Sequence, residues 1–385
     1  MINRKILFLA PLPPPFAGPE VTSELLLNSN AFKKEAIIHI KSNIRNDNAN
    51  KGKLDYAGIL NFLKIYLKVL KNLLSTNVKT FYFLLSSGKI PFFRDSLYIY
   101  TAWFLRKKIV GHYRGGNFDG FYKSQNYRYR KYIRKVLNKV DCNIIEANRF
   151  INTYKGVYPL EKLEVVYSGI DTKECWIVPR EDEVFTILFM GHLIFAKGFY
   201  DIIHAYKELF AKYDKQIKFV FAGTIVGYKS GEIEFLNGKW RKKFIEEGEQ
   251  ISSEIQDFIN SCGNYNAEYL GIVSGLKKNH AFQNADLFVL PSYTEGFPTV
   301  CLEAMAYGLP LVVTPVGSLP EVIKEDENGK FTPIGDPSSL AKNIELLLND
   351  RVLRMRVGEN NYKYVRDNYD IEIIAEKLLK KLKSI

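Results

Sequence analysis

No apolar run in the 385 residues reaches the ~18 residues that a membrane-spanning helix needs, so no integral helical span is expected. The basic start MINRKILFLA contains only a short apolar run, ILFLA, too brief for a signal-peptide core and better suited to a first buried strand. Cysteine is scarce. Cys142, Cys175, Cys262 and Cys301 are scattered, with no CxxC pair and no His pattern nearby, which argues against structural zinc and fits a reducing compartment. A cytoplasmic protein is therefore expected. Internal repeats and low-complexity tracts are missing too. The acidic runs EDE (181–183) and EDEN (325–328) do not follow a strand into a common cleft, so no metal-binding carboxylate pair is expected.

What is present is a marked charge asymmetry. Residues 1–175 hold 29 Lys and Arg against 13 Asp and Glu, whereas the remainder holds 25 against 29. The first part is thus +16 and the second −4, which points the first part at an anionic partner: nucleic acid, an anionic membrane surface or a phosphate-bearing substrate. Two basic segments stand out. In 56–75, Asn61, Lys64, Lys68, Lys71 and Ser75 form a narrow polar stripe on an otherwise apolar helix. In 124–140, Arg128, Arg130, Lys131, Arg134, Lys135 and Lys139 surround an apolar stripe of Tyr, Ile, Val and Leu. Each segment fits either a core helix with a solvated basic face or a helix docked on anionic lipid.

Short Val/Ile/Leu-rich runs alternate with helical-period segments. Strands are expected at 5–11, 36–40, 80–85, 108–113, 142–147 and 163–169, then at 185–191, 217–223, 267–273, 286–291 and 311–314. Helices close the chain near 338–349, 351–368 and 371–383. This pattern predicts an α/β protein with parallel sheets covered on both faces. So many strands are better divided between two doubly wound domains, with the boundary in the polar stretch 171–184: residues 1–175 and 176–367, the terminal helix (about 368–385) packing back on the first. The region 224–266 is too long for an ordinary connection and is expected to be an excursion around a helix near 249–261.

The richest stretch is PSYTEGFPTVCLEAMAYGLPLVVT (291–314). Glu295 falls in a turn with Gly296, Phe297 and Pro298, just beyond a strand. Thr299 and Val300 then open a helix in which Glu303 comes one turn later. Ligands of parallel sheets bind beyond the carboxyl ends of strands. First-turn amides there have no intrahelical partner and make a cradle for a diphosphate. Carboxylates suit vicinal sugar hydroxyls, so Glu295 and Glu303 suggest a sugar-nucleotide site.

Glu295-Gly296-Phe297 and Glu303-Ala304-Met305-Ala306, with Gly308, Pro310 and VTPVGSLPEVI (313–323), resemble the signature of retaining glycosyltransferases of the family 4 type, the glycosyl transferases group 1. The resemblance spans most of the chain and is densest over 185–325. It implies the GT-B fold: two Rossmann-like domains facing across a cleft, the second holding a nucleotide-sugar donor and the first an acceptor. GHLIFAKG (191–198) is similar to the family's diphosphate clamp, with Lys197 in place and His192 where arginine is usual. The loop around Gly271, Ile272 and Val273 resembles the nucleobase-binding loop, and PFAGPEVTSELL (15–26) resembles a glycine-rich first turn, carried here by Gly18 alone. In VVYSGID (165–171), Ser168 replaces the family's asparagine. GHYRGGNF (111–118) places His112 where the family faces a histidine toward the donor sugar. Arg114, with Gly115 and Gly116, stands either for acceptor phosphate binding or for part of the basic face.

The resemblance thus implies Glu295, His112 and Lys197 as catalytic residues of a metal-independent hexosyltransferase with no cofactor beyond its donor. A UDP-linked donor is expected in preference to a GDP-linked one, although the family pattern itself leaves the base open. The basic first part suits a saccharide acceptor on a polyprenyl diphosphate, at the inner face of the membrane, in assembly of capsule, lipopolysaccharide O-chain or exopolysaccharide. Rival readings are a GT-B-like epimerase or phosphorylase and a basic nucleic-acid-binding protein. The absence of a recognised nucleic-acid motif weighs against the last.

Overall fold

The computed structural model describes residues 5–43, 56–178, 184–225, 233, 236 and 238–385. Contacts divide the chain into two units, Met1–Asp171 with Tyr369–Ile385, and Thr172–Asn368.

The first unit runs β1 (Lys5–Ala10), α1 (Gly18–Asn28), α2 (Asn30–Lys33), β2 (Ile37–Lys41), α3 (Tyr56–Leu73), β3 (Val78–Leu84), α4 (Lys89–Phe104), β4 (Lys108–Tyr113), α5 (Phe118–Lys123), α6 (Tyr127–Leu137), β5 (Cys142–Ile145) and β6 (Leu163–Val165). Its six strands are all parallel, in the order β2-β1-β3-β4-β5-β6. Alternate side chains of a strand point to opposite faces. Leu7, Leu9, Phe81 and Phe83 therefore enter one core with α3, α4 and α6. Ile6, Phe8 and Tyr82 enter the other, where Phe8 stacks on Tyr82 at 4.3 Å. Both faces are buried, which is why these strands read as unbroken apolar runs.

The second unit runs β7 (Phe185–Met190), α7 (Phe199–Tyr213), β8 (Ile217–Ala222), α8 (Gly238–Ser261), β9 (Ala267–Tyr269), α9 (Gly275–Gln283), β10 (Leu287–Leu290), α10 (Thr299–Ala306), β11 (Leu311–Val313), α11 (Leu319–Val322), β12 (Gly329–Phe331), α12 (Pro337–Asn349) and α13 (Arg351–Tyr369). Its parallel sheet has the order β12-β11-β10-β7-β8-β9. The final helix, α14 (Ile371–Ser384), returns to the first unit. There Ile374, Leu378 and Leu382 join the core of α1 and α2, and Glu372 accepts the Asn30 amide at 2.9 Å, capping α2.

Four local expectations need correction. The helix expected over 124–140 is shorter, Tyr127–Leu137: Asn126 caps its start, accepting the Tyr129 amide at 2.9 Å, and separates it from α5. The excursion over 224–266 is dominated by a helix that starts at Gly238 rather than near 249. The strand expected over 267–273 stops at Tyr269, because Gly271 turns the chain with φ +68°. Finally, β12 was not foreseen. GKF lacks an apolar run, and only its pairing with β11 makes it a strand. The acidic run 181–183 lies outside the described residues. Of the other, Asp326 pairs with Lys330, and Asn328 bonds Asn361 at 2.9 Å inside the core.

Candidate active site

In the second unit β7 is central, with β8 and β9 on one side and β10, β11 and β12 on the other. Chain crossovers diverge between β7 and β10, opening a crevice at the carboxyl ends of those two strands. The loops leaving them carry Lys197 and Glu295.

After β7 the chain makes a 3-10 turn, Phe195–Lys197, and Gly198 then heads α7 with φ +72°. A Cβ on Gly198 would lie 2.1 Å from the Pro291 carbonyl oxygen. Both the backbone angle and the close approach demand glycine, and together they press the Lys197 turn against the loop leaving β10. The Tyr293 amide donates to the Ala196 carbonyl at 2.9 Å across the same seam. As a result Lys197 Nζ sits 2.6 and 2.7 Å from the two Glu295 oxygens, and Ser292 Oγ donates to one of them at 2.6 Å. The Glu295 side chain is 6% exposed and that of Lys197 28%. A carboxylate so far out of water is tolerable because donors meet both its oxygens.

The loop leaving β11 closes over this one. Gly317, φ +56°, would bring a Cβ within 2.5 Å of the Glu295 carbonyl oxygen, and Ser318 donates its amide to Gly296 at 3.0 Å. Thr299 and Val300 open α10, whose Pro298 cap supplies no side-chain hydrogen bond. Their amides head the helix where no preceding turn can accept them. One turn on, Glu303 is held by Lys278 of α9 at 2.6 Å. His192 is exposed beside Lys197 and Glu295. Crowding of its ring and then the Lys197 charge push its pKa down, only partly offset by Glu295, so it is neutral at neutral pH. Gly271 accepts the Gly223 amide at 2.8 Å, Ile272 is 76% exposed and Val273 is half-buried. A broad depression lined by Val184, Lys218, Glu268 and His280 opens beside the amino ends of β7 and β8 and reaches Val273; neither Lys197 nor Glu295 lines it.

Beneath the crevice, Tyr293 links the site to α8. It packs on Phe195 at 4.4 Å and edge-on to Trp240 at 4.9 Å, while Phe244 stacks on Phe195 at 5.4 Å. The Tyr293 hydroxyl bonds Asp201, which is 4% exposed. Burial raises the Asp201 pKa to about 6, more than the Tyr293 bond and the Lys243 charge lower it.

In the first unit, His112 lies at the carboxyl end of β4, 3% exposed rather than facing solvent. Its Nδ1 is 2.7 Å from the Tyr82 hydroxyl. Arg114 donates to that same hydroxyl and, at 3.2 Å, to the Pro19 carbonyl, tying the strand end to the start of α1 beside the exposed Gly18. With its oxygen accepting from Arg114, the Tyr82 hydroxyl gives its proton to Nδ1, which assigns the remaining imidazole proton to Nε2. Burial and the Arg114 charge keep this imidazole neutral, its pKa well below the usual value. Glu146, buried, accepts from Ser168 Oγ at 2.5 Å, and desolvation raises its pKa. Gly115 and Gly116 follow, half-buried, and Gly115 is closed over by Tyr113.

The expected residues therefore fall into two groups, one in each unit. Lys197, Glu295 and His192 come together, with Glu303 one helical turn away. His112 and Arg114 come together around Tyr82. Lys278, Ser292, Gly317, Asp201, Tyr82 and Glu146 escaped the sequence reading. Ser292 lies in the 291–314 stretch and Gly317 in 313–323, and Lys278 lies one turn into the helix after the Gly271 loop. Nothing in the one-dimensional pattern marks Asp201. Among the described residues, no group of three or more His, Cys, Asp or Glu is placed to hold a metal ion. Among them, too, no helix is long and apolar enough to cross a membrane.

The family model described as glycosyl transferases group 1 matches residues 172–364. The capsular polysaccharide biosynthesis glycosyltransferase CapM of Staphylococcus aureus is 27% identical over 194 residues, 50% of this chain and 44% of that protein. The N,N'-diacetylbacillosaminyl-diphospho-undecaprenol alpha-1,3-N-acetylgalactosaminyltransferase of Campylobacter jejuni is 37% identical over 124 residues, 32% of this chain and 31% of that protein. The chain spans less than two thirds of the length of the curated relatives it matches. Among solved structures, HepE of Anabaena in complex with UDP and glucose superposes with a TM-score of 0.70 at 17% identity, covering 99% of this chain and 100% of that one. The two six-stranded parallel sheets have the GT-B fold.

Proposed function

Because the chain belongs to the glycosyl transferases group 1, we propose that it is a retaining, metal-independent glycosyltransferase that moves a hexose from a nucleotide diphosphate sugar to a saccharide acceptor. The observation that carries this is the Lys197–Glu295 contact at the switch point of the sheet, beside the N-terminus of α10. Departure of the diphosphate leaves negative charge. The Lys197 ammonium and the amides of Thr299 and Val300 are fixed where that charge would develop. A bound diphosphate competes with Glu295 for Lys197, which frees carboxylate oxygens for the hydroxyls of the transferred sugar. Glu303, steadied by Lys278, is suited to the ribose, and the turning backbone at Gly271–Val273 to the base. Neutral His112, with its proton on Nε2, donates to a sugar oxygen. Arg114, with Gly115 and Gly116, serves the acceptor.

The donor is proposed as a UDP-sugar in preference to a GDP-sugar, and the acceptor as a polyprenyl-diphosphate-linked saccharide in surface polysaccharide assembly, on the cytoplasmic side. The excess of cations in the first part of the chain and the relatives from capsule and lipid-linked saccharide synthesis support this acceptor. A panel of UDP- and GDP-hexoses, scored by thermal shift and then by turnover, tests the donor, and NMR of the product anomer tests retention. Glu295→Ala should abolish transfer while sparing nucleotide binding. Full turnover in that variant would overturn the site. Epimerised sugar from labelled donor without acceptor would replace the reaction.

A further inference from the structure

The helix α3 has a nearly complete apolar circumference, yet only Val69 and Leu73 on it are fully buried. Tyr56, Ile59, Leu60, Leu63 and Leu67 are exposed, from 38% to 77%, at spacings of three and four, so they form one stripe along the helix. Exposed Lys64, Lys68 and Lys71 run beside it. A second stripe follows on α4, where Phe93 and Phe104 are 54% and 79% exposed, with Leu97 and Tyr100 half-buried between them.

These helices form one layer over one face of the sheet. Tyr66 of α3 bonds Thr101 of α4 at 2.7 Å, and Tyr132 of α6 packs on Phe92 and Phe93 of α4. Both stripes therefore belong to the outer side of that layer. Its polar rim is almost wholly basic. Together α3, α4 and α6 carry ten Lys and Arg and a single acid, Asp95, which is buried against Arg94 at 2.7 Å. Trp103, 49% exposed, carries the Lys139 ammonium 3.9 Å above its ring.

We propose that this outer layer of α3, α4 and α6 docks in the plane of an anionic lipid bilayer, with the leucines of α3 and the Phe93 and Phe104 rings in the acyl boundary and the lysines and arginines among the headgroup phosphates. An apolar stripe flanked by cations, lying along a helix about 27 Å long, has the form of an in-plane membrane anchor. Other occupants fit worse. A second copy would bring two nearly unopposed basic rims together, and a nucleic acid backbone would leave the leucines and phenylalanines uncovered. Docking does not depend on sugar transfer, so its failure leaves the proposed reaction standing.

Co-sedimentation of the full chain with vesicles tests it, using phosphatidylcholine alone and phosphatidylcholine mixed with phosphatidylglycerol. The chain should bind the anionic vesicles, less so as salt rises, and bind phosphatidylcholine far more weakly. Lys64→Gln/Lys68→Gln/Lys71→Gln should weaken binding on the order of a hundredfold, at about fivefold per cation removed. Leu63→Gln/Leu67→Gln should weaken it about tenfold or more. Lys242→Gln/Lys243→Gln, on α8 of the other unit, should bind like the unaltered chain. Trp103 emission should shift to the blue on anionic vesicles, and that shift should vanish in Trp103→Phe. Negligible binding to both vesicles, or binding that the lysine variant leaves unchanged, overturns the proposal. So does concentration-dependent self-association that Leu63→Gln/Leu67→Gln abolishes, or tighter binding to duplex DNA than to vesicles at physiological salt. If the leucine variant does not fold, the lysine variant and the Trp103 signal decide.

Discussion

Replacing Asp201 by Asn should make the second unit more stable at neutral pH, and the gain should disappear in acid. Asp201 lies in the first turn of α7, 4% exposed, with one carboxylate oxygen lacking a partner and with a hydrogen bond from the Tyr293 hydroxyl. Lys243 favours its charged form and Asp336 opposes it, but burial dominates and raises the pKa from 3.8 to about 6. The folded chain therefore holds this proton more tightly than the unfolded chain does. Stability must then fall as pH rises from 3.8 through about 6. A shift of about two units at 1.36 kcal/mol each amounts to about 3 kcal/mol, of which about 2 kcal/mol falls between about pH 4.5 and 7.5. Asparagine keeps an acceptor for Tyr293 but does not ionise. The difference in unfolding free energy, variant minus unaltered chain, should thus grow by about 2 kcal/mol across that range. Urea unfolding followed by tryptophan emission measures it, with Trp240 packed directly on Tyr293 as a local reporter. Parallel profiles for the two chains would refute the assignment of this titration to Asp201.

Gly198→Ala combines a left-handed backbone angle with a Cβ 2.1 Å from a carbonyl oxygen, so it should cost more than the ~1 kcal/mol of the angle alone and lower activity by shifting Lys197. Thermal unfolding and turnover measured together check this. Lys278→Gln removes the partner of Glu303 and should raise the Kd for nucleotide several-fold with little loss of stability, as read by calorimetric titration. His112 is kept neutral by burial, so the first unit should lose about 1 kcal/mol as pH falls from about 7.5 to 5.5, where only the unfolded imidazole takes up a proton. His112→Asn should flatten that slope in denaturant melts.

Most strands were legible because a strand buried on both faces must be a run of apolar side chains, and KIVGHY or FTILFM can be little else. The Glu295 turn was legible for a related reason: Gly, Pro and two acids at fixed spacing beyond a strand define a local geometry. The α3 helix was the hardest to read. An apolar circumference announces burial in any one-dimensional pattern, and sequence left a core helix and a helix docked on anionic lipid both open. Among the described residues, packing leaves the stripe uncovered, because α3 sits at the outside of its layer and spends only one face on the sheet.

By itself the sequence determined most of the elements, the two-sheet architecture and the loop that carries Glu295 and Glu303, since these depend on periodicity and on neighbours a few residues apart. Tertiary structure decided the partners. Lys197 and Glu295 are 98 positions apart, and they meet only because β10 pairs beside β7 rather than beside β9, its predecessor in the chain. Asp201 meets Tyr293 for the same reason, and its raised pKa is a property of the burial that this strand order creates. Strand order is settled by the packing of the whole sheet, and no stretch of a few residues records it.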